Sequence, residues 1–520
     1  MIPYLKKQGT ATQLIVHEKP FLALGGELGN SSASDPAYLE TIWPKVVAFN
    51  MNTVLAPVYW ELLEPEEGQF DFTLVDSLIH GARRHGVSLV LLWFGAWKNS
   101  MSCYAPLWVK RDLDRFPRMV DTRGVGQEIL SAFSESVLDA DSRAFVALMA
   151  HLREIDGEQN TVIMVQVENE IGMLPCARDM SETANQLYAG PVPDELLSYL
   201  DTHSETLVEK LGSQWEAAGR RMAGTWEEVF GPGEAAEEIF MAWHYAVFTG
   251  RLAAAGKAEY PLPMYVNAAL NRPGHRPGRY PSAGPLPHLL DIWKAGAPAI
   301  DFLSPDLYFP EYDEWISKYP RPDNPLFVPE NQLGHFNGAH AVHTIGAYDA
   351  IGYSPFSVES SPDPAATPLA ASYRALSALA PAILENQGKG LITGVLLTTT
   401  KSCADRVLGG YRLHFRHEKD WEWARPTEPI PPDRVIVGCL VISTGPDEFI
   451  VMGSGILITF EPVGPGLPIA GFAAIDEIIV EGEEMRVGRR LNGDQSHQGR
   501  HVHLPDGEFG IQRVTLYRYR

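Results

Sequence analysis

Along the first 390 residues, short apolar runs rich in β-branched side chains alternate with longer segments whose apolar positions recur three and four apart. Continuous or period-two apolar runs mark strands and a 3.6-residue period marks helices, so this alternation is the signature of βαβ units. Eight runs stand out: FLALGGELG (21–29), TVLAPVYWE (53–61), SLVLLWFGAW (88–97), TVIMVQVENE (161–170), PMYVNAAL (263–270), DFLSPDLYF (301–309), PLFVPENQ (325–332) and AIGYSPFSVES (350–360). Between them the spacing predicts helices over 74–86, ending on Gly86; over 141–157, opening on Asp141 as an N-cap; over 237–256; and over 365–384. Eight strand–helix units predict an α/β fold, a (β/α)8 barrel over residues 1–388. From 389 to 520 the runs become β-rich and are separated by Gly, Pro and Asp turns, as in RVIVGCLVIST and EFIVMGSGILITFEP, which predicts an all-β sandwich.

Charge narrows the partners. The 520 residues carry 65 acidic and 42 basic side chains, a formal net charge of −23. Such a surface repels phosphate backbones and anionic lipid, so neither nucleic acid nor a membrane is an expected partner, whereas self-association is compatible with the sequence. No run approaches 18 apolar residues, and MIPYLKKQGT lacks the apolar core of a signal peptide. The expectation is a cytoplasmic protein, or a secreted one if a leader has been removed. Cys103, Cys176, Cys403 and Cys439 form no CxxC pair and are read as buried thiols, with a disulfide left open. Abundant Trp, Tyr and Phe suit the apolar faces of sugar rings as well as ordinary cores.

The candidate chemistry lies where the apolar runs end. In a barrel of this kind the functional groups sit at the C-terminal ends of the strands. Here those ends supply Glu27, Gly29 and Asn30; Tyr59, Trp60 and Glu61; Trp97, Lys98 and Asn99; Glu168, Asn169 and Glu170; Asn267; Asp306 and Tyr308; Glu330 and Asn331; and Ser357 and Glu359. Taken singly, Asn30, Asn267 and Glu359 read as caps or turn residues. Taken together, the polar ends predict a carboxylate-rich, aromatic-walled cleft. Retaining hydrolysis of a glycosidic bond needs two carboxyl groups about 5–5.5 Å apart, one protonated and one ionised. Acids at the tips of the fourth and seventh strands suit that geometry, with Tyr308 placed to donate to Glu330. Periodicity does not choose between Glu168 and Glu170, because residues two apart share a face of a regular strand.

These segments resemble glycoside hydrolase family 35, the β-galactosidases. VQVENEIG is similar to that family's QVENEYG segment, NMNTVLAPVYWELLEPEEGQFDF (50–72) to its GxNTxxxYxxWxxxEPxxGxFDF signature, and WFGAWKNSMSCYAPLWVK (93–110) to its Cys-containing third-strand loop. The resemblance implies Glu170 as acid/base, Glu330 as nucleophile and Asn169 as the partner of the sugar 2-hydroxyl, with Glu27, Tyr59, Glu61, Trp97, Asn99 and Tyr308 in the sugar pocket. It implies a retaining exo-β-galactosidase acting on oligosaccharides, needing no cofactor or metal. His335, His340 and His343 are read as part of an active-face loop. Departures from the family pattern, Pro-Glu-Asn around Glu330 and GGELGN at the first strand, lie in the pocket wall. The competing readings are a β-glucosidase-like or transglycosylating relative and a carbohydrate-binding barrel without catalysis. Trp421 and Trp423 are candidates for a glycan platform or for interdomain packing.

Overall fold

The computed structural model describes residues 1–398, 400–420, 436–482 and 484–520, so Trp421 and Trp423 lie outside the described residues. All eight apolar runs form strands of one sheet: β1 (Ala23–Glu27), β2 (Thr53–Tyr59), β3 (Ser88–Lys98), β4 (Val162–Asn169), β5 (Met264–Ala268), β6 (Phe302–Leu307), β7 in two pieces (Phe327–Val328 and Glu330–Asn331) and β8 (Gly352–Tyr353). The pairing order is β7 first piece, β8, β1, β2, β3, β4, β5, β6, β7 second piece. Because Pro329 alone separates the two pieces, the first and last positions in this order belong to a single strand and the sheet is a nearly closed barrel. The ladders β7–β8, β8–β1, β3–β4, β4–β5 and β5–β6 are parallel. Parallel strands covered on both faces need near-continuous apolar sequence, and β2, β4, β5 and β6 are buried at every position.

The chain divides into two compact units. One comprises Met1–Tyr4, Asn30–Glu40 and Val54–Tyr319; the other comprises Leu5–Gly29, Thr41–Thr53 and Pro320–Arg520.

In the first unit the helix after β2, Thr73–His85, ends as predicted, with Gly86 left-handed at φ 68°. The helix between β3 and β4 differs from expectation. It runs from Glu135 to Asp156 and is capped by Ser134, whose side chain accepts from Val137 N, so Asp141 lies inside the helix and is buried rather than capping it. This helix holds both ends of β4. Near its C-terminus, Asp156 accepts from Thr161 N (3.0 Å) and Val162 N (2.7 Å) at the start of the strand, and it pairs with Arg83 at 2.6 Å. Near its start, Asp141 reaches the strand's far end. Short helices that the apolar pattern did not reveal fill the stretch after β4: Glu182–Ala189, Asp194–Thr202, Glu209–Ala217 and Trp226–Phe230.

In the second unit, residues 392–519 form two antiparallel sheets. One has six strands in the order Ile392–Leu397, Val437–Gly445, Glu448–Gly453, Gly510–Tyr519, Ile469–Glu481, Glu484–Arg490; the other has four in the order Cys403–Leu408, Tyr411–His417, Ile456–Pro462, Val502–Leu504. Tyr411–His417 alternates in burial, with Tyr411, Leu413 and Phe415 inside and Arg412 and Arg416 exposed. Those inward residues join Val395, Val441, Phe449, Val451, Ile458, Val502 and Val514 in one core between the sheets, which makes the module a sandwich. The helix Asn337–Tyr348 lies close against it: a Cβ on Gly438 would meet Ala339 O at 2.5 Å. A three-stranded N-terminal sheet (Tyr4–Gln8, Ala11–Val16, Lys19–Phe21) was not predicted. Among the cysteines only Cys439 is buried; Cys103 and Cys403 are exposed and Cys176 is partly covered, all as free thiols. No described helix is long and apolar enough to cross a membrane.

Candidate active site

Strand β4 ends in three consecutive polar residues, all buried. Glu168 and Glu170 both have left-handed backbones, φ 62° and 45°. Non-glycine residues rarely adopt that region, and it costs on the order of 1 kcal/mol or more. The two kinks break the two-residue repeat, so Glu168 and Glu170 enter different surroundings.

Glu168 joins a closed cluster against the helix. Its Oε1 accepts from Ala96 N (3.1 Å) and its Oε2 from Trp97 N (2.7 Å). Asp141 accepts from the Trp93 indole (2.8 Å) and from Ala96 N (3.2 Å), and its carboxyl is hydrogen-bonded to that of Glu168. Gly95 makes room for the pair, since a Cβ there would meet Asp141 Oδ1 and Glu168 Oε1, both at 2.7 Å. Burial, followed by the neighbouring Asp141 charge, pushes Glu168 well above the usual carboxyl range, and burial also raises Asp141. Two carboxyls this close in a dry site share a proton, and we assign it to Glu168.

Glu170 joins a different group. Its backbone N–H donates to Asn267 Oδ1 (2.9 Å), and Asn267 Nδ2 donates to Asp306 Oδ2 (2.7 Å). Asn267 therefore orients the end of β4, which differs from its expected role as a cap. The carboxyls of Glu170 and Asp306 are hydrogen-bonded, and Lys98 Nζ lies 3.9 Å from Glu170 Oε2. Burial raises the Glu170 carboxyl, while Lys98 and the bond to Asp306 pull it back down. The net result of these opposed effects is a raised carboxyl, the direction a general acid needs. Asn169 is fully buried, and neither its amide oxygen nor its nitrogen has a partner among the described residues. A buried amide left unsatisfied in this way is suited to a ligand's hydroxyl.

The other predicted pocket residues of this unit are placed as follows. Tyr59 is buried against Phe94 and Tyr104, and its hydroxyl accepts from Ala33 N at 3.2 Å. Glu61 is part-exposed and pairs with Lys110 at 3.6 Å. Asn99 is exposed, with φ 49°, and its N–H donates to Asn169 O at 3.1 Å. Trp97 is fully buried; it donates from its indole to Leu130 O at 3.1 Å and packs edge-on against Tyr245 and Phe248. Tyr308 is 39% exposed. Reading the sequence for sugar-pocket residues passed over Lys98, Asn267 and Asp306, although each stands at a strand end.

In the second unit Glu330 opens the second piece of β7 and is 4% exposed. The neighbouring Asn331 is locked in place: its Oδ1 accepts from Tyr353 Oη (2.6 Å) and Asn337 Nδ2 (2.9 Å), and its backbone oxygen accepts from Phe356 N (2.8 Å). Glu27 is buried, and its N–H donates to Pro355 O at 2.8 Å. Glu359 accepts from Gly29 N at 2.8 Å, a bond between distant segments rather than the local cap or turn expected of it. His340 is buried and held neutral, its pKa pushed well below the usual value by burial and then by His343.

Comparison with known proteins adds the following. Residues 37–249 match the glycoside hydrolase family 42 model, described as "Beta-galactosidase". Residues 369–503 match a "Domain of unknown function (DUF5597)". A β-galactosidase of Xanthomonas manihotis is 29% identical over 175 residues, which are 33% of this chain and 27% of that protein. Among solved structures, the cold-adapted β-galactosidase of Rahnella sp. R3 is 18% identical with a TM-score of 0.46, covering 70% of this chain and 57% of its own. The β-galactosidase of Bacillus circulans sp. alkalophilus is 15% identical with a TM-score of 0.47 and the same two coverages. The chain thus spans 27% of the curated relative's length and 57% of each of these structures' chains.

Residues 37–249 accordingly match a glycoside hydrolase model of the β-galactosidase type. The matching model is that of family 42, not the family 35 expected from the motifs.

Proposed function

We propose that the chain is a retaining exo-β-galactosidase that releases terminal β-galactosyl residues from oligosaccharides. Its catalytic barrel spans residues 1–388 and its accessory sandwich residues 389–520. Glu170 protonates the leaving glycosidic oxygen while Glu330 attacks the anomeric carbon to form a glycosyl-enzyme. Glu170, now ionised, takes a proton from water as that water displaces Glu330, so the configuration is retained and both acids return to their starting states. Asn169 receives a ring hydroxyl. Glu27, Tyr59, Glu61, Asn99 and Tyr308 complete the sugar pocket, with Trp97 as backing. The reading is carried by the surroundings of Glu170, a buried carboxyl poised between burial and a nearby ammonium, within the segment that matches a β-galactosidase model.

The test is Glu330→Gly on an activated aryl β-galactoside. Activity should be abolished and then restored by azide, yielding a galactosyl azide of inverted configuration. Normal turnover without azide would remove Glu330 from the nucleophile's role.

A further inference from the structure

The feature that neither the motifs nor the comparisons assign is Lys98. Its side chain is 5% exposed, yet among the described residues no acceptor lies within hydrogen-bond range of its ammonium. Glu170 Oε2 is at 3.9 Å, and the Phe94 ring centroid is at 5.3 Å. A lysine kept only as a counter-ion would close to about 2.7–2.9 Å, where a charge-assisted hydrogen bond forms. An ammonium on a side chain this covered, with no hydrogen bond to the protein, keeps its donors available to a ligand.

The backbone around Lys98 is also fixed from several directions. The Glu168 carboxyl holds the preceding Ala96 and Trp97 N–H groups. Lys98 N donates to Met101 O at 2.8 Å, and Lys98 pairs with Asn169 in the β3–β4 ladder. The ammonium is therefore presented from a pinned strand end, next to a carboxamide that also lacks protein partners. Donors held in place before a ligand arrives are what selective recognition of a hydroxyl requires.

We propose that Lys98 is a substrate-contacting residue that donates to a hydroxyl of the same sugar ring whose glycosidic oxygen Glu170 protonates, which makes the ligand of this site a neutral, hydroxyl-bearing glycoside. The inference rests on the assignment of Glu170 made above.

The experiment compares wild type with Lys98→Met on an aryl β-galactoside, on its monodeoxy analogues and on the corresponding galacturonide, with thermal unfolding alongside. A hydrogen bond from a charged donor corresponds to about 10- to 100-fold in kcat/KM. Lys98→Met should lose that much on the parent sugar. One deoxy analogue should cost wild type a similar factor but cost the variant less than about threefold, which is the coupling expected of direct contact. Tm should hold, because the ammonium makes no hydrogen bond to the protein that its removal would break. Three results would overturn the proposal: activity within about threefold of wild type, equal sensitivity of both proteins to every deoxy analogue, or a fall in Tm that tracks the loss of activity. A wild-type preference for the galacturonide would likewise overturn it, by making the ammonium a carboxylate receptor. Lys98→Gln repeats the measurements if the Met variant does not fold.

A wild-type protein that hydrolyses no aryl β-galactoside would remove the proposed function instead. Lys98 would then be judged by calorimetric binding of galactose and its deoxy forms to both proteins.

Discussion

Glu168 and Glu170 are two residues apart on one strand, both buried, and both raised in pKa chiefly by burial. Their partners separate them. Glu168 faces only donors and another acid that are already satisfied: two backbone N–H groups and Asp141, itself bonded to Trp93 and Ala96. Glu170 stands beside an ammonium without a hydrogen bond and a carboxamide without a partner. The cluster behind the strand is complete, whereas the one at its tip has donors and acceptors to spare. Burial and a perturbed pKa therefore do not by themselves mark a reacting acid; unsatisfied neighbours discriminate better.

The comparison predicts that replacing the two acids has different consequences. Glu170→Ala should lower kcat/KM for a β-galactoside with a poor leaving group by about 10²–10⁴-fold, the usual contribution of a general acid. Nitrophenyl galactosides, whose leaving oxygen needs little protonation, should be affected far less. Equal losses on both substrates would remove Glu170 from the acid's role. Asp141→Ala acts on the other cluster and strips acceptors from Trp93 and Ala96. Leaving a buried donor unsatisfied costs about 1–3 kcal/mol, so denaturant titration should show destabilisation of at least that scale. The ratio of rates on good and poor leaving groups should stay as in wild type.

The fold was largely legible because a barrel strand is covered on both faces and so appears as an unbroken apolar run whatever surrounds it. What was misread depended on partners distant in sequence. Asp141 looks like an N-cap, being a small acid ahead of an apolar repeat. It lies mid-helix because Ser134 caps the helix earlier and because Glu168 and the Trp93 indole meet it there. The N-terminal sheet was missed because its strands are short and broken by turns such as the one at Gly9, φ 57°. At the site, strand-end position pointed to Glu168, Asn169 and Glu170 alike, and only the family resemblance chose Glu170. The positive φ values that part Glu168 from Glu170, and the convergence of Lys98, Asn267 and Asp306, arise only once neighbouring strands are in register. The family 35 resemblance rested on three short motifs, whereas the model that matches residues 37–249 as a whole is that of family 42.

A pH measurement sharpens the contrast further. An acid whose folded-state pKa is raised contributes stability that is complete below its unfolded pKa and is lost as pH rises toward the folded value. Above about pH 4.5 the Glu168–Asp141 pair therefore holds a proton that the unfolded chain has released, and stability falls by about 1.4 kcal/mol per pH unit on that account. Glu168→Gln takes this titration away. The difference in unfolding free energy between wild type and variant should change with pH by that slope from roughly pH 5 upward, until the pH reaches the raised folded-state pKa. Parallel curves would mean that the pair carries no extra proton.

The smallest expected effect tests the boundary between the two clusters. Trp97 is one of the two β3 residues whose N–H groups Glu168 holds, and it was expected to line the sugar pocket. Its indole is spent on Leu130 O, and its ring is packed on Tyr245 and Phe248. Trp97→Phe loses one buried hydrogen bond and some volume, so stability should drop by roughly 1–3 kcal/mol. A ring that touches no sugar leaves KM within about twofold of wild type, since no uniform binding energy has been removed. A tenfold or larger rise in KM with stability preserved, roughly 1.4 kcal/mol of lost binding, would move Trp97 from the closed cluster to the open one and redraw the pocket wall through β3.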